Sequence, residues 1–412
     1  MGLPNRSPQG LISLLRNRSL GFYIFGNTLT NMGTWVKDVA AAIYLYHLTG
    51  SAVVVAGVAL AGYGSAVVLS PLGGVLADRV DRLRLLAVLH LAQASAAFAL
   101  AAVVSWGEPS VGVVLGLLLA IGIGKALVMP ALHAVLPSII EARDLAPALT
   151  LQSLTFNGTR AVGPLAGALI ATGLDPSAAF AINGIAFLSF VACLPFISLQ
   201  DGGFVESPQA RSRTVVVAAF KDRRIRLLLL GMAVAGMVTD PLLTLGPAFA
   251  ESLSVGQAFA GGLVAAFGTG SLLAAPLVQF TRRRVGPVRA GGIGLMAVFI
   301  GFGAIAASPS PQTALLGAAL AGAGFLVAST DFTAAMQAIL PTHLRGRVMA
   351  LWTVAYFGSR PIAAVVSGAV SDAYGPNLGM LPVMAVAGGM ALIAYLMSKQ
   401  SDLVTPIRVV AT

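Results

Sequence analysis

Gly74-Val75-Leu76-Ala77-Asp78-Arg79-Val80-Asp81-Arg82-Leu83-Arg84 is the stretch that decides the fold. It closes one apolar run, residues 53–77, and Leu85 opens the next. Two acids and three arginines are confined to a turn between segments that are each long enough to cross the roughly 30 Å of hydrocarbon in a bilayer. The turn is a short, highly charged hairpin at a membrane surface.

Outward from this hairpin the chain keeps the same character. Of its 412 residues 57% are hydrophobic and only 10% charged, against about 25% charged in a soluble domain, and the mean hydropathy is +0.88. Twelve apolar runs lie near 20–48, 53–77, 85–106, 111–133, 147–173, 177–199, 226–250, 257–280, 289–308, 312–338, 346–371 and 379–398, and spanning takes about 20 apolar residues per helix. Their wealth of Gly and Ala suits helices that approach closely in lipid. The ~10-residue alternation of barrel strands is not seen. The sequence therefore predicts an all-α, multi-pass membrane protein with twelve transmembrane helices.

The net charge of +10 is a topology signal and excludes a nucleic-acid role by its distribution. Of the 25 Lys and Arg, 21 fall in the N-terminal arm, one set of hairpins, the central loop or the tail, and the alternate loops (47–52, 107–110, 174–176, 251–256, 309–311, 372–378) have none. By the positive-inside rule both termini are expected in the cytoplasm. Cys193 is the only cysteine, so no disulfide forms within the chain. The first run is too long for a cleaved signal and is expected to remain as an anchor. Residues 10–18 and 215–220 are candidate amphipathic segments at the membrane surface.

The chain repeats itself. Gly62-Tyr63-Gly64-Ser65 followed by Pro71 returns as Gly268-Thr269-Gly270-Ser271 followed by Pro276. Phe156-Asn157-Gly158-Thr159-Arg160 after Leu136-Pro137 returns as Tyr356-Phe357-Gly358-Ser359-Arg360 after Leu340-Pro341. The expected organisation is thus a six-helix bundle over 1–199, a polar and basic linker over 200–225, and a second six-helix bundle with its tail over 226–412.

The hairpin spacing G-x-L-A-D-R-x-D-R-x-R resembles the loop between the second and third helices of the major facilitator superfamily of secondary transporters. Further motifs are similar to one bacterial branch, the exporters that include the enterobactin exporter and macrolide-efflux proteins. These are Leu15-Arg16-Asn17-Arg18, Gly33-Thr34-Trp35, Leu48-Thr49-Gly50-Ser51, Leu136-Pro137, Gly163-Pro164-x-x-Gly167 and Arg345-Gly346-Arg347-Val348. The resemblance implies two pseudo-symmetric halves around a substrate site near the midplane. It also implies a cytoplasmic latch that holds the outward-facing state, built from Gly74, Asp78, Arg79, Asp81 and Arg82 against the start of the eleventh helix beside Arg345 and Arg347. A mirrored latch of reversed polarity would set Arg282, Arg283 and Arg284 against Glu141 and Asp144. Gly163, Pro164 and Gly167 resemble an antiporter element and predict a helix kink, although Ala168 breaks the fuller pattern and the antiporters' fourth-helix arginine is replaced by Leu118.

A charge near the bilayer centre costs about 2.5–3.5 kcal/mol on insertion scales, so charges within the runs are functional candidates. They are Lys37, Asp38, Lys125, Arg160, Asp240, Asp331 and Arg360. Asn27, Asn31 and Asp38 share one helical face, whereas Lys37 sits about 100° away and is expected to neutralise Asp38 only weakly. A carboxylate in a partly dehydrated cavity is drawn to its protonated form, and a nearby cation opposes this. Asp38 is therefore the leading proton carrier, followed by Asp240 and Asp331. Arg160 and Arg360 read equally as cross-seam glue, Asp240 also as a cap on the backbone freed by Pro241, and His90, His133, Tyr44 and Tyr46 as interfacial residues.

With no metal cluster, nucleophile-base pair or phosphate loop in the sequence, neither an enzyme nor a cofactor or metal is expected. The reading is a monomeric, proton-coupled exporter of a small amphipathic compound, such as a drug or siderophore, in the bacterial inner membrane, in contact with lipid. A proton-coupled importer on the same scaffold, a lipid translocase and a membrane sensor stay open as alternatives.

Overall fold

The computed structural model describes residues 14, 16–107, 109–199, 222–340 and 342–399, and side chains throughout these except at 71, 78, 142, 342–347 and 350. The expected amphipathic segment at 215–220 and nearly all of the linker lie outside the described residues.

Among the described residues every element is helical, and each of the twelve apolar runs falls on helix. The first half holds α1 (Arg18–Thr49), α2 (Ala52–Ala59), a π turn (Leu60–Gly64), α3 (Ser65–Arg79), α4 (Arg82–Ser105), α5 (Val111–Ser138), α6 (Leu145–Gly173) and α7 (Pro176–Cys193). The second holds α8 (Arg223–Met237), α9 (Pro241–Ser252), α10 (Ala258–Leu273), α11 (Ala275–Val285), α12 (Pro287–Ala306), α13 (Pro311–Ile339), α14 (Thr342–Tyr374), α15 (Pro376–Gly379) and α16 (Leu381–Met397). Eight spans among the described residues are long and apolar enough to cross a membrane, or nine if α10 and α11 count as one. The remaining expected spans, α1, α6 and α14, have the length at 32, 29 and 33 residues but are more polar.

Local sequence explains the breaks. Gly50 ends α1 in the left-handed region at φ 63°, its N–H bonded to Tyr46 O, and Ser51 then caps α2 by accepting from Val54 N at 3.3 Å. Asp81 caps α4 in the same way, accepting from Arg84 N at 2.8 Å. Pro241 opens α9 after a break at 238–240, so the seventh run is two helices. Pro276 lies in the first turn of α11, which bends 54° from α10. Small residues set the helix spacing: a Cβ on Gly294 would lie 2.5 Å from Gly324 O, where α12 meets α13.

The halves touch through α6 on α10, α2 and the π turn on α14, and α1 and α2 on α9. Two polar links join them at the loop-poor end, where the connections are short and carry no Lys or Arg. Tyr46 donates to Glu251 Oε2 at 2.6 Å, and Asp372 of α14 accepts from Ser51 Oγ and from the first amides of α2. Towards the basic end lies a cleft of about 540 Å³ lined by α6 from one half and by α11, α13 and α14 from the other. At the loop-poor end these links tie the halves beside a space of about 930 Å³ lined by Tyr44, Tyr46, Glu251 and Gln257, and the halves part at the basic end.

Candidate functional site

The polar stripe of α1 is real and broader than Asn27, Asn31 and Asp38. With Thr30 and Thr34 these residues line a chamber of about 80 Å³ inside the first half, joined by Lys37, Gln93, Leu118 and Lys125. That volume suits a few waters rather than an organic substrate. Asn31 donates to Asn27 O at 2.9 Å and to Asn27 Oδ1 at 3.4 Å, and Thr34 to Thr30 O at 2.8 Å, so side-chain donors of the stripe are satisfied along the helix itself.

Lys37 departs from expectation. Its ammonium contacts Asp38 Oδ1 directly, with the two side chains 7% and 13% exposed. Neighbouring positions diverge by about 100° at Cβ, but the four-carbon stem of a lysine is long enough to close that gap.

Lys125 rests on the ring of Tyr63, 4.6 Å from its centroid, and no acid reaches it within hydrogen-bonding distance among the described residues. The same ring carries Arg360 at 3.6 Å and stacks on Phe357 at 5.8 Å. Tyr63 therefore joins a cation of the first half to one of the second. It sits in the π turn of residues 60–64, where one extra residue per turn re-aims a side chain; such turns recur at functional sites.

Asp240 does not cap the helix behind Pro241. Its carboxylate is 1% exposed and accepts from Arg360 Nε at 2.6 Å and Nη2 at 3.0 Å, and from Thr239 Oγ1 at 3.0 Å. This is a bidentate pair inside the second half, from the break between α8 and α9 to α14. Asp331, fully buried on α13, accepts from Arg282 Nε at 2.5 Å, while its Oδ2 has no partner. Arg282 is thus engaged within its own half rather than with Glu141 or Asp144, which instead hold Arg143. The mirrored latch is not made in this state.

Arg160 on α6 is 5% exposed, lines the cleft at the basic end, and lies over three rings: Phe267 at 4.7 Å, Phe325 at 4.8 Å and Trp35 at 5.8 Å. Pro164 has no N–H for the Arg160 carbonyl four residues back, and Gly268 packs against that carbonyl, where a Cβ would sit at 2.5 Å. α6 nevertheless runs unbroken from Leu145 to Gly173. Gly163 and Gly167 serve as close-packing points on α1, with Cβ positions 2.7 Å from Trp35 Cβ and from Val36 Cα.

In the signature hairpin, Asp78 and the partner positions Arg345 and Arg347 have side chains outside the described residues. Arg79 and Asp81 are exposed, and Arg82 reaches Ser138 Oγ at 3.2 Å, tying the hairpin to the end of α5. Gly74 faces open space, and the tightly packed glycine is Gly73, against Leu127 Cα at 3.0 Å.

Three residues missed by sequence reasoning belong here. Tyr63 was visible only as the centre of a repeated Gly-x-Gly. His90, expected at the interface, is 1% exposed, stacks on Phe190 at 4.5 Å and lines the water-sized chamber. Trp352 lines the cleft and donates to Thr333 Oγ1 at 3.2 Å. Among the described residues no three His, Cys, Asp or Glu side chains gather to hold a metal ion.

Residues 12–405 match the family model described as transmembrane secretion effector. Macrolide efflux protein A of Streptococcus pyogenes is 31% identical over 173 residues, 40% of this chain and 42% of that protein, so that match spans less than half of the relative's length. Enterobactin exporter EntS of Salmonella typhimurium is 26% identical over 300 residues, 72% of each chain. Among solved structures, a bacterial homolog to the human lysosomal transporter Spinster, in an inward-facing and occupied conformation, superposes with TM-score 0.76 at 16% identity over 96% of this chain and 99% of that one. A D-xylose-proton symporter gives 0.67 at 15% identity, over 97% of this chain and 98% of its own. With a helical fold and family match in agreement, the chain belongs to the transmembrane secretion effector family of the major facilitator superfamily.

Proposed function

We propose that the protein is a proton-coupled antiporter that exports a small amphipathic compound, such as a drug or siderophore, from the cytoplasm by alternating access. One observation carries the reading: polar groups are sorted by size of space. The charged stripe of α1 borders a chamber of about 80 Å³, suited to water and protons, whereas the spaces between the halves, about 540 Å³ towards the basic end and about 930 Å³ at the opposite end, have the volume of small-molecule sites. Tyr63 and Lys125 line the chamber, and Arg360 on the Tyr63 ring lies 5.9 Å from the ring of Tyr356, which lines the cleft towards the basic end, so the state of one space bears on the other. Asp38 is the proton carrier and Lys37 its counter-ion. When their contact parts, the Asp38 carboxylate faces the water-sized chamber alone. Asp331, with one unpartnered oxygen, is the second candidate, and Asp240, saturated by Arg360, is structural in this state.

The basic end is the cytoplasmic one and both termini lie there, which makes the present state inward-facing in a bacterial inner membrane. The chain works as a monomer. The two efflux relatives support export, and the symporter with the same fold keeps import as the competing direction. Expression in a drug-sensitive bacterium against a panel of amphipathic toxic compounds separates them. Export raises the tolerated concentration of at least one compound, and a protonophore removes the protection. Increased sensitivity on expression identifies an importer, and protection untouched by the protonophore ends the proton-coupled reading.

A further inference from the structure

We infer that the inter-half cleft takes an amphipathic organic anion, with a carboxylate carried on an apolar body, and that Arg160 is the residue that binds its charge. This rests on the reading of that cleft as the cargo site and adds the class of cargo.

The two halves repeat, so their charges are compared pairwise. Asp38 and Asp240 occupy equivalent helices, and Arg160 and Arg360 occupy equivalent positions in the repeated motif. In the second half the equivalent acid and arginine are bonded to each other by two hydrogen bonds. In the first half they are not: Asp38 is held by Lys37, and Arg160 meets no carboxylate. The other buried acid, Asp331, is held by Arg282. Lys37, Lys125, Arg160 and Arg360 thus face Asp38 and Asp240 near the midplane, and once the bonded pairs are set aside, Lys125 and Arg160 are left without a counter-charge.

Arg160 is the stronger case because it is nine-tenths buried and still has no hydrogen-bond acceptor among the described residues, its Nε being sealed and unpartnered. Phe267 and Phe325 from the second half and Trp35 from the first surround the guanidinium. Rings attract the charge through their faces but accept none of its N–H bonds in the plane. The side chain is therefore held in place while its donors stay unused, next to a cleft that it lines. A carboxylate answers a guanidinium fork with two parallel acceptors. The rest of the cleft is amphipathic: Phe156, Leu326 and Trp352 offer apolar surface to a body, and Asn157, Ser329 and Gln337 offer polar contacts.

The test uses three probes with one body: 2-naphthoate, 2-naphthylmethylammonium and 2-naphthylmethanol. Binding to the purified protein in lipid nanodiscs is read by isothermal titration calorimetry and by quenching of tryptophan fluorescence, Trp352 lying in the cleft. Wild type should bind 2-naphthoate at least about tenfold more tightly than either other probe. Arg160→Gln should erase that preference, and Arg160→Lys, which keeps the charge but not the fork, should retain part of it. Equal binding of all three probes by wild type, no binding of 2-naphthoate, or a preference that survives Arg160→Gln would each overturn the inference. A carboxylate preference that depends on Arg160, in a protein whose export ignores a protonophore, would uphold the anion site and refute proton coupling instead.

Discussion

Replacing Asp372 by Ala should open the loop-poor end. Asp372 accepts from Ser51 Oγ at 2.5 Å, Ala52 N at 2.6 Å and Val53 N at 3.2 Å, so the acid of α14 in one half caps the N-terminus of α2 in the other. Capping side chains contribute about 0.5–2 kcal/mol, and a negative charge at a helix N-terminus about 0.3–1 kcal/mol. Asp372 is exposed, so solvent screens both contributions, and a combined value of about 1–2 kcal/mol is appropriate. The bonds cross the halves and exist only while this end is closed. Their loss acts wholly on the conformational equilibrium, a shift of about 5- to 30-fold toward the state open at this end. Asp372→Asn keeps an acceptor but loses the charge and should give a smaller shift.

The assay is a distance measurement between spin labels at Ser110 and Gln312, one on each half at the loop-poor end, in a Cys193→Ser background. Asp372→Ala should enlarge the long-distance population, and a label pair on the basic side should shorten in step. Distance distributions identical to the parent would refute the latch, and with it the view that this cap helps hold the present state.

Other perturbations follow from contacts of the same kind. Gly322→Ala places a Cβ 1.9 Å from Phe267 O and should lower thermal stability by about 1–3 kcal/mol, whereas Gly389→Ala, with nothing within 4 Å, should be neutral or stabilising; parallel melting curves decide. Asp240→Asn leaves Arg360 buried without its counter-ion and should destabilise by about 3–5 kcal/mol, with much of that loss recovered in the Asp240→Asn, Arg360→Gln double variant. Single cysteines at Ser110 and Ser254 should react with an impermeant thiol reagent from outside the cell, and one at Ser212 should not; the reverse pattern inverts the orientation.

Helix positions were legible because bilayer thickness imposes a length on each apolar run, and Gly50, Asp81 and Pro241 mark ends by local chemistry alone. The charged candidates were legible because a membrane makes any charge conspicuous. Their partners were not. Asp240 with Arg360 and Asp331 with Arg282 depend on helix crossings that no spacing rule specifies, and Lys37 met Asp38 because stem length overrode the angular argument. Tyr63 carries no charge and drew no attention, although its ring holds two cations. Asp372 carries no signal in the sequence, since its role exists only where the other half's helix begins. The signature hairpin was the clearest motif in the sequence, yet the present state shows mainly its Asp81 cap and its Arg82 tie to Ser138.

Proton coupling through Asp38 is tested most directly in proteoliposomes holding wild type or Asp38→Asn, supplied with a compound that the protein exports from cells. Two fluxes are compared for each: accumulation driven by an imposed pH gradient, and exchange of labelled for unlabelled compound at equal concentrations without a gradient. The expected result is that Asp38→Asn loses gradient-driven accumulation and keeps exchange, because exchange needs no net proton movement. An Asp38→Asn protein that still concentrates the compound with wild-type dependence on the pH gradient would contradict it.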